Sequence, residues 1–160
     1  MGDTTKNFSI KQENGTYFIE GFLNEFSNLD EIAPDENNTI TINLSGVSLI
    51  NSVGILTWLK MVRAFPQAKL ILHKVSFPFM SSIVMMPDLL GHHPLDVIEE
   101  FHAPFDCPDC SEDFETLIKY ADVELKDEEV NVPPVPCPKC GSSSPCMEEQ
   151  FEYLFGLLGD

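Results

Sequence analysis

The sequence is short of positive charge, and the shortage is concentrated in its second half. The 160 residues contain 9 Lys and Arg against 26 Asp and Glu, for a formal net charge of −17. Residues 95–160 hold seventeen acids and three lysines, a net charge of −14. Because nucleic-acid binding depends on Lys and Arg that neutralise phosphates, we expect no nucleic-acid partner.

Long apolar runs are also absent. The longest apolar stretches, such as residues 77–86, contain Ser and Pro and fall well short of the roughly 20 residues that a membrane-spanning helix needs. Residues 1–6 lack the cationic segment followed by an apolar run that marks a secretory signal. We therefore expect no membrane association and a location in the reducing cytoplasm.

No motif typical of catalysis is present. The chain has no Gly-rich phosphate loop, no nucleophile elbow and no His-Glu-x-x-His helix. Its four histidines fall in strand-like runs or beside a proline, where a hydrogen-bonded or exposed histidine is the ordinary outcome. We expect a protein that is not an enzyme, and a small-ligand-binding domain or an enzyme remains the open alternative.

Cysteine is where the sequence is most informative. Cys107 and Cys110 form one Cys-x-x-Cys pair, and Cys137 and Cys140 form a second pair after 26 intervening residues. Two such pairs can converge tetrahedrally on one metal ion. A redox motif would need only one pair, and a disulfide framework would suit a secreted chain. The spacing predicts one zinc ion per chain, with iron as the alternative metal.

The predicted metal site is structural, because four protein ligands leave no coordination position for a substrate. Gly141 follows the second pair and can adopt the left-handed conformation that turns backbone amides toward the thiolates. Ser111 occupies the corresponding place after the first pair, where we expect slight strain. Cys146 has no partner at ligand spacing, so we interpret it as a buried or spare cysteine that does not bind the metal.

The pattern of apolar residues and breakers predicts alternating strands and helices in the first 94 residues. Strands are expected at residues 8–11, 16–22, 39–44 and 68–75. Helices are expected at residues 23–32, 53–65 and 79–86, with Asn51 or Ser52 capping the second. Residues 47–50 are apolar but too short for a helix. Asn14-Gly15 predicts an antiparallel hairpin, and the later alternation implies parallel pairing, so we expect a mixed sheet.

The charge changes after residue 94, and we divide the chain there into a sheet domain, residues 1–94, and an acidic metal-binding module, residues 95–160. The module is expected to contain strands at residues 97–105 and 114–123, an extended connector without a core of its own at 126–136, and a closing helix at 148–158.

The segment TITINLSGVSLINSVG, followed by an amphipathic helix, resembles the STAS domain of anti-sigma-factor antagonists and sulfate transporters. In that family a strand ends in a loop of the form Asp-Ser-Ser-Gly or Asp-Ser-Thr-Gly, whose first Ser or Thr is phosphorylated by a partner kinase. Ser52 matches the phosphorylated residue and Gly54 the glycine. Asn51 replaces the acid and Val53 the second hydroxyl. The resemblance covers about residues 8–90, and the cysteine pairs resemble zinc ribbons and rubredoxin-like modules.

The resemblance implies an α/β fold with a STAS-like mixed sheet, to which a small zinc ribbon and a terminal helix are added. It also implies a protein–protein interaction module in bacterial regulation or signalling. The contact surface would be the loop from Asn51 to Gly54 and the exposed side of the next helix, including Trp58 and Met61. Phosphorylation of Ser52 would switch the contact.

A second interpretation places partner binding in the acidic module. Ser52 lies at a helix N-terminus and can simply cap it, in which case the protein is a zinc-stabilised scaffold whose acidic ribbon binds a protein. Both interpretations leave the partner unidentified, and both accommodate a monomer or a homodimer.

Overall fold

A computed structural model describes residues 7–158 of the chain. Residues 1–6, from which we expected no export signal, lie outside this range. The described part has a mixed α/β fold with three α-helices and nine β-strands. None of the helices between residues 7 and 158 has the length and apolar character needed to cross a bilayer.

Two strands come first, strands and helices then alternate from residue 39 to residue 85, and the rest of the described chain is mainly β. The strands are β1 (Phe8–Glu13), β2 (Thr16–Leu23), β3 (Thr39–Ile50), β4 (Lys69–His73), β5 (Glu100–Asp106), β6 (Asp113–Lys119), β7 (Glu124–Lys126), β8 (Glu129–Asn131) and β9 (Cys146–Met147). The helices are α1 (Ser52–Ala64), α2 (Phe77–Met85) and α3 (Glu149–Leu157).

The strands form three sheets, of which the first two touch. In the first, β1 and β2 form an antiparallel hairpin, and β2, β3 and β4 are parallel, in the order β1-β2-β3-β4. In the second, β6 and β9 pair antiparallel with β5 on its two sides. Two isolated parallel bridges, from Leu72 to Ile98 and from Val75 to Phe101, join the two sheets. The first sheet contains both antiparallel and parallel pairs, which confirms the prediction of a mixed sheet.

A single hydrophobic core crosses the division at residue 94. In one part of it, Trp58 of α1 lies edge-on to Phe79 of α2 with ring centroids 4.7 Å apart. In another, Phe101 of β5 stacks on Phe155 of α3 at 5.1 Å. All four rings are fully buried, and each contributes on the order of 2 kcal/mol through burial. The charge changes at residue 94, but the core continues across it.

Three predicted helices are confirmed within two residues at each end. They correspond to α1, α2 and α3, and local sequence explains each start. The Asn51 side chain caps α1 by accepting from the Gly54 N–H at 2.8 Å. Ser76 caps α2, and Pro78 fits its first turn, where no N–H partner is needed. The Glu148 carboxylate caps α3.

The helix predicted at residues 23–32 is wrong. Leu23 ends β2, and the following residues form turns. The Asn24 side chain accepts from the Phe26 N–H, and the Asn28 side chain accepts from the Asp30 N–H, at 2.9 and 2.8 Å. Such local bonds offer the backbone an alternative to a helix. Leu29 and Ile32 lie in this segment and are buried in the core. Their burial explains the apolar spacing that suggested a helix.

Two further predictions need correction. Residues 39–44 and 47–50 belong to one twelve-residue strand, β3, whose far half pairs with the end of β2. The predicted connector at residues 126–136 begins with a hairpin between β7 and β8. Val130, Val132 and Val135 pack partly buried against the common core, so this segment does take part in it.

Candidate metal centre and the β3–α1 loop

The structure brings the four predicted cysteines together. Cys107 follows β5 directly, Cys110 lies in the turn before β6, and Cys137 and Cys140 lie in the second turn, before β9. Their four Sγ atoms all lie within 4.8 Å of one another. The Sγ atoms of Cys107 and Cys140 are 3.6 Å apart, as are those of Cys110 and Cys137. These separations exclude disulfides, whose sulfur atoms are about 2.05 Å apart.

The sulfur separations fit a tetrahedral metal ion. A zinc–sulfur bond of about 2.3 Å places two ligands of a regular tetrahedron about 3.8 Å apart, close to the observed 3.6 Å. Four thiolates also ligate iron, so the geometry alone does not choose between the two metals. In either case the four cysteines complete the coordination sphere, as in a structural site.

The two cysteine turns share one backbone design. The Ser111 N–H donates to the Cys107 carbonyl at 2.8 Å, and the Gly141 N–H donates to the Cys137 carbonyl at 3.0 Å. Both donors have a left-handed conformation, with φ of 62° and 73°. Glycine adopts this conformation freely, whereas serine does so at a cost. The expected strain at Ser111 is therefore present.

The thiols of the cluster differ in acidity. Backbone N–H groups of Cys140 and then Lys139 lower the pKa of Cys137 to about 7, and the Lys139 N–H lies 3.4 Å from its sulfur. Burial raises the pKa of Cys110 to about 12. Four thiols this close cannot all ionise without a cation between them, so metal binding must release protons.

Two polar contacts join the cysteine turns outside the cluster. The Lys139 ammonium lies 3.6 Å from the Glu112 carboxylate, and the Ser142 hydroxyl donates to the Asp109 carboxylate. The ion pair is largely exposed, with side chains 62% and 39% accessible, so its contribution to stability is small. The four converging cysteines are therefore the main link between the two turns.

Cys146 lies outside the cluster. Its side chain is exposed on β9, and its thiol donates to the Ser144 carbonyl at 3.4 Å. Among residues 7–158, the metal-ligand cluster consists of the other four cysteines. The interpretation of Cys146 as a spare cysteine agrees with this position, whereas the alternative of a buried cysteine is wrong.

The loop between β3 and α1 is pinned by Asn51. Its backbone N–H donates to the Leu23 carbonyl at 3.1 Å. Its side chain accepts from the Gly54 N–H and donates to the Glu25 carboxylate at 2.9 Å. The bond from Asn51 lowers the pKa of Glu25. One asparagine thus joins the end of β2, the following turn and the start of α1.

Ser52 is the first residue of α1 and is exposed. The interpretation of Ser52 as the helix cap is wrong, because Asn51 performs that task. Across the described residues, 7–158, no hydrogen-bond partner of the Ser52 hydroxyl is present. The hydroxyl is therefore accessible, and the helix does not need it.

Three residues of the predicted contact surface are buried. Gly54 packs so closely on the end of β2 that an added Cβ would lie 2.1 Å from the Leu23 carbonyl oxygen. Trp58 is 0% exposed and its indole N–H donates to the Leu89 carbonyl at 2.7 Å. Met61 is 5% exposed. All three stabilise α1 from inside, so placing them on a contact surface is a prediction that the structure corrects.

Other apolar side chains are exposed around the loop and were not predicted. We call these residues the loop patch; they are Phe26, Leu49, Val53 and Leu56, which are 55%, 57%, 43% and 65% exposed. Val53 and Leu56 are three residues apart on α1, a spacing that places them on one face. The spacing of Val53 and Leu56 is present in the sequence. The prediction for this helix used only its inward stripe, Ile55, Leu59 and Val62.

Comparisons with models of protein families, with curated proteins and with solved structures found no match. The mixed α/β fold and the cysteine cluster therefore stand on the geometry of this chain. None of these comparisons supports the resemblance to STAS domains.

Proposed function

We propose that the chain is a cytoplasmic, non-enzymatic interaction module of bacterial regulation or signalling, with a STAS-like sheet and a structural zinc ion. It binds a protein partner through the β3–α1 loop and the loop patch, and phosphorylation of Ser52 ends the contact. The observation that carries the proposal is the accessible Ser52 hydroxyl at the start of α1. Because Asn51 caps this helix, the Ser52 hydroxyl is not needed for capping.

The position of Ser52 suits a phosphate group. Phosphorylation adds nearly two negative charges and three acceptor oxygens. The first turn of a helix offers unpaired N–H groups and a partial positive charge, and no acidic residue lies in the first turn of α1. The fold therefore tolerates the phosphate, whereas a partner packed on the surrounding apolar side chains would have to bury it.

The loop patch supplies the apolar part of the contact. Single exposed apolar residues are ordinary on protein surfaces. Here Leu49 and Leu56 each lie two residues from the loop, and Phe26 follows Glu25, which is bonded to Asn51. Exposed apolar residues near one polar residue, here Ser52, are typical of a protein interface. A negative charge added to that polar residue would weaken binding at such an interface.

We assign zinc to the four cysteines because a closed four-thiolate site is typical of structural zinc. The ion holds the two cysteine turns together at the end of β5. It contributes to the fold and leaves no position for a substrate.

The test is capture of the natural partner from a lysate with tagged full-length chain. Ser52→Ala should retain the partner, and Ser52→Asp should lose it because it places a carboxylate in the contact. Ser143→Asp, which introduces the same charge at an exposed serine after the second cysteine turn, is the matched control and should behave as wild type. Incubation with kinases of the lysate, followed by mass spectrometry, should place phosphate on Ser52.

The scaffold interpretation is the second candidate, and one observation favours it. Asp106 of β5 lies directly opposite Asp113 of β6. The hydrogen bond with Asp113 raises the pKa of Asp106, as do burial and the charges of Asp113 and Glu148. Like charges in such positions cost stability, and a cationic partner would relieve this cost. If both Ser52 variants bind the partner as wild type does, this acidic surface becomes the candidate interface.

A further inference from the structure

β6 is an edge strand whose outer side is unpaired within residues 7–158. The Cys107 N–H donates to the Glu112 carbonyl and the Tyr120 N–H donates to the Glu99 carbonyl, each at 2.9 Å. Since antiparallel pairs alternate, the even-numbered residues of β6 bond to β5, and the odd-numbered residues point their N–H and C=O groups outward. The outward residues are Asp113, Glu115, Leu117 and Lys119.

This edge carries little protection against pairing. Natural sheets protect their edges with prolines, bulges or very short strands. β6 has seven residues, contains no proline or glycine, and keeps an unbroken register with β5. Leu117 is 39% exposed in the middle of the outward row. The remaining protection is the charge at Asp113, Glu115 and Lys119.

The sequence of β6 complements itself when two copies run antiparallel about a two-fold axis at Thr116. Asp113 of each copy then lies opposite Lys119 of the other. Phe114 lies opposite Ile118 on the side that faces the core, and Thr116 lies opposite its own copy. Opposite charges, apolar pairs and Thr–Thr pairs are all favourable across antiparallel strands.

The neighbouring registers are worse. For the two copies to hydrogen-bond, residues whose backbone groups point away from β5 must lie opposite such residues of the other copy. The two-fold axis can therefore lie only at a residue and not between two residues. An axis at Glu115 sets that carboxylate against itself, which is unfavourable. An axis at Leu117 leaves Asp113 and Phe114 of both copies without a partner. Pairing about Thr116 alone uses the full strand.

The edge strand of the four-stranded sheet, β1, gives an internal comparison. In β1 the outward residues are Phe8, Ile10 and Gln12, because Glu13 pairs with Thr16 across the two-residue turn. An axis at Ile10, which pairs the most of this strand, brings Ser9 opposite Lys11 and forms no ion pair. The register that uses most of the strand is therefore complementary in charge for β6 and not for β1.

We propose that the chain forms a two-fold homodimer through antiparallel pairing of β6 with β6 of a second copy. Four outward residue pairs exchange about eight backbone hydrogen bonds, and the two sheets become one. The contact area is small, so the dimer dissociates in the micromolar range. This interface lies apart from the β3–α1 loop, and the inference does not depend on the proposed function.

The charge of the whole chain acts against the dimer. Two molecules of net charge −17 repel each other at long range. Salt screens this repulsion beyond about 10 Å at 0.1 M, whereas the close contacts are affected less. The dimer should therefore strengthen as salt is raised from low ionic strength.

The test is sedimentation velocity of the metal-loaded, full-length chain over a range of concentrations. Wild type should shift from monomer to dimer. Asp113→Lys and Lys119→Asp should each weaken dimerisation about tenfold or more, because each sets like charges opposite each other twice. An equal mixture of the two variants should regain the dimer, since the reversed charges then face each other across the interface.

A second pair of variants probes the backbone. Leu117→Pro removes an outward N–H without removing a bond to β5, so it should give a monomer whose circular dichroism matches wild type. Gln12→Pro, the matched change on the outer edge of β1, should leave the dimer intact. A wild type that remains monomeric at every concentration, or a mixture of the charge variants that does not associate, overturns the proposal.

Discussion

The first cysteine turn and the β3–α1 loop each follow the carboxyl end of a strand that runs parallel to β4. Different forces hold the cysteine turns and the loop in place. The cysteine turns have exposed surfaces, and weak polar contacts join them outside the cysteine cluster. The loop is held by the close fit of Gly54 on β2 and by buried Trp58 one turn later.

These two regions show two ways of fixing a turn. The cysteine turns have little core of their own, and we propose that coordination of a metal ion holds them together. The loop depends on packing and backbone hydrogen bonds, so its surface residues stay free to bind. Substitutions should therefore cost the most stability at the cysteine turns and less at the loop.

Loss of one metal ligand should give the largest effect. Cys140→Ser should abolish metal binding and destabilise the β5–β6–β9 region by several kcal/mol, since binding energy at such a site is folding energy. Hydrogen exchange should rise there first and leave most of β1–β4 protected. Cys146→Ser is the matched control because both cysteines are exposed. If both variants keep their metal, the ligand assignment is wrong.

The shared core predicts the next largest effect. Phe155 is fully buried between Phe101 and Phe151. Phe155→Ala should cost about 3–5 kcal/mol in the free energy of unfolding, measured by urea denaturation. Tyr153, on the same helix, is 61% exposed, and Tyr153→Ala should change the free energy of unfolding by less than about 0.5 kcal/mol. Equal losses would show that α3 does not share the core of the sheet.

Gly54→Ala tests the close fit at the loop. The added Cβ would meet the Leu23 carbonyl oxygen at 2.1 Å, which requires α1 to move away from β2. We expect a loss of about 1–3 kcal/mol in the free energy of unfolding, as for overpacked sites. Gly15→Ala is a poor comparison because of its positive φ, whereas Ala64→Gly on the exposed end of α1 should cost only about 1 kcal/mol. An unchanged midpoint for Gly54→Ala would contradict the account.

The capping assignment predicts the smallest effects. Asn51→Ala should cost about 0.5–2 kcal/mol through the lost cap. Ser52→Ala should stay within about 0.5 kcal/mol because its hydroxyl caps nothing. Thermal unfolding of the two variants measures the difference, and a larger loss for Ser52→Ala would reverse the assignment.

A second hydrogen bond of Asn51, which its side-chain amide donates to the Glu25 carboxylate, can be followed by titration of Glu25. Its pKa is lowered in the fold, so its stabilising contribution is present above the ordinary pKa of a glutamate and fades as pH falls through the lowered value. In Asn51→Ala, the pKa measured by NMR should rise toward the ordinary value. No change would mean that Asn51 does not hold the carboxylate.

The features predicted best from the sequence are those that depend on residues close together in the chain. Two Cys-x-x-Cys pairs define a four-ligand site whatever surrounds them, and the starts of the helices follow from Asn51, Ser76 and Glu148. The sequence predicted poorly what depends on distant partners. The burial of Trp58 requires the Leu89 carbonyl, 31 residues away, and the common core requires β5 beside β4.

The helix predicted at residues 23–32 shows a different limit. Its apolar spacing was real, but Asn24 and Asn28 form local hydrogen bonds that compete with helix formation. The periodicity correctly indicated that Leu29 and Ile32 are buried, but it wrongly predicted that a helix carries them.

X-ray absorption spectroscopy of the purified, full-length chain tests the metal centre most directly. We expect a zinc edge, about one ion per chain, and a single shell of four sulfur ligands at about 2.3 Å. A shell containing nitrogen or oxygen ligands, or a folded protein without metal, would contradict it.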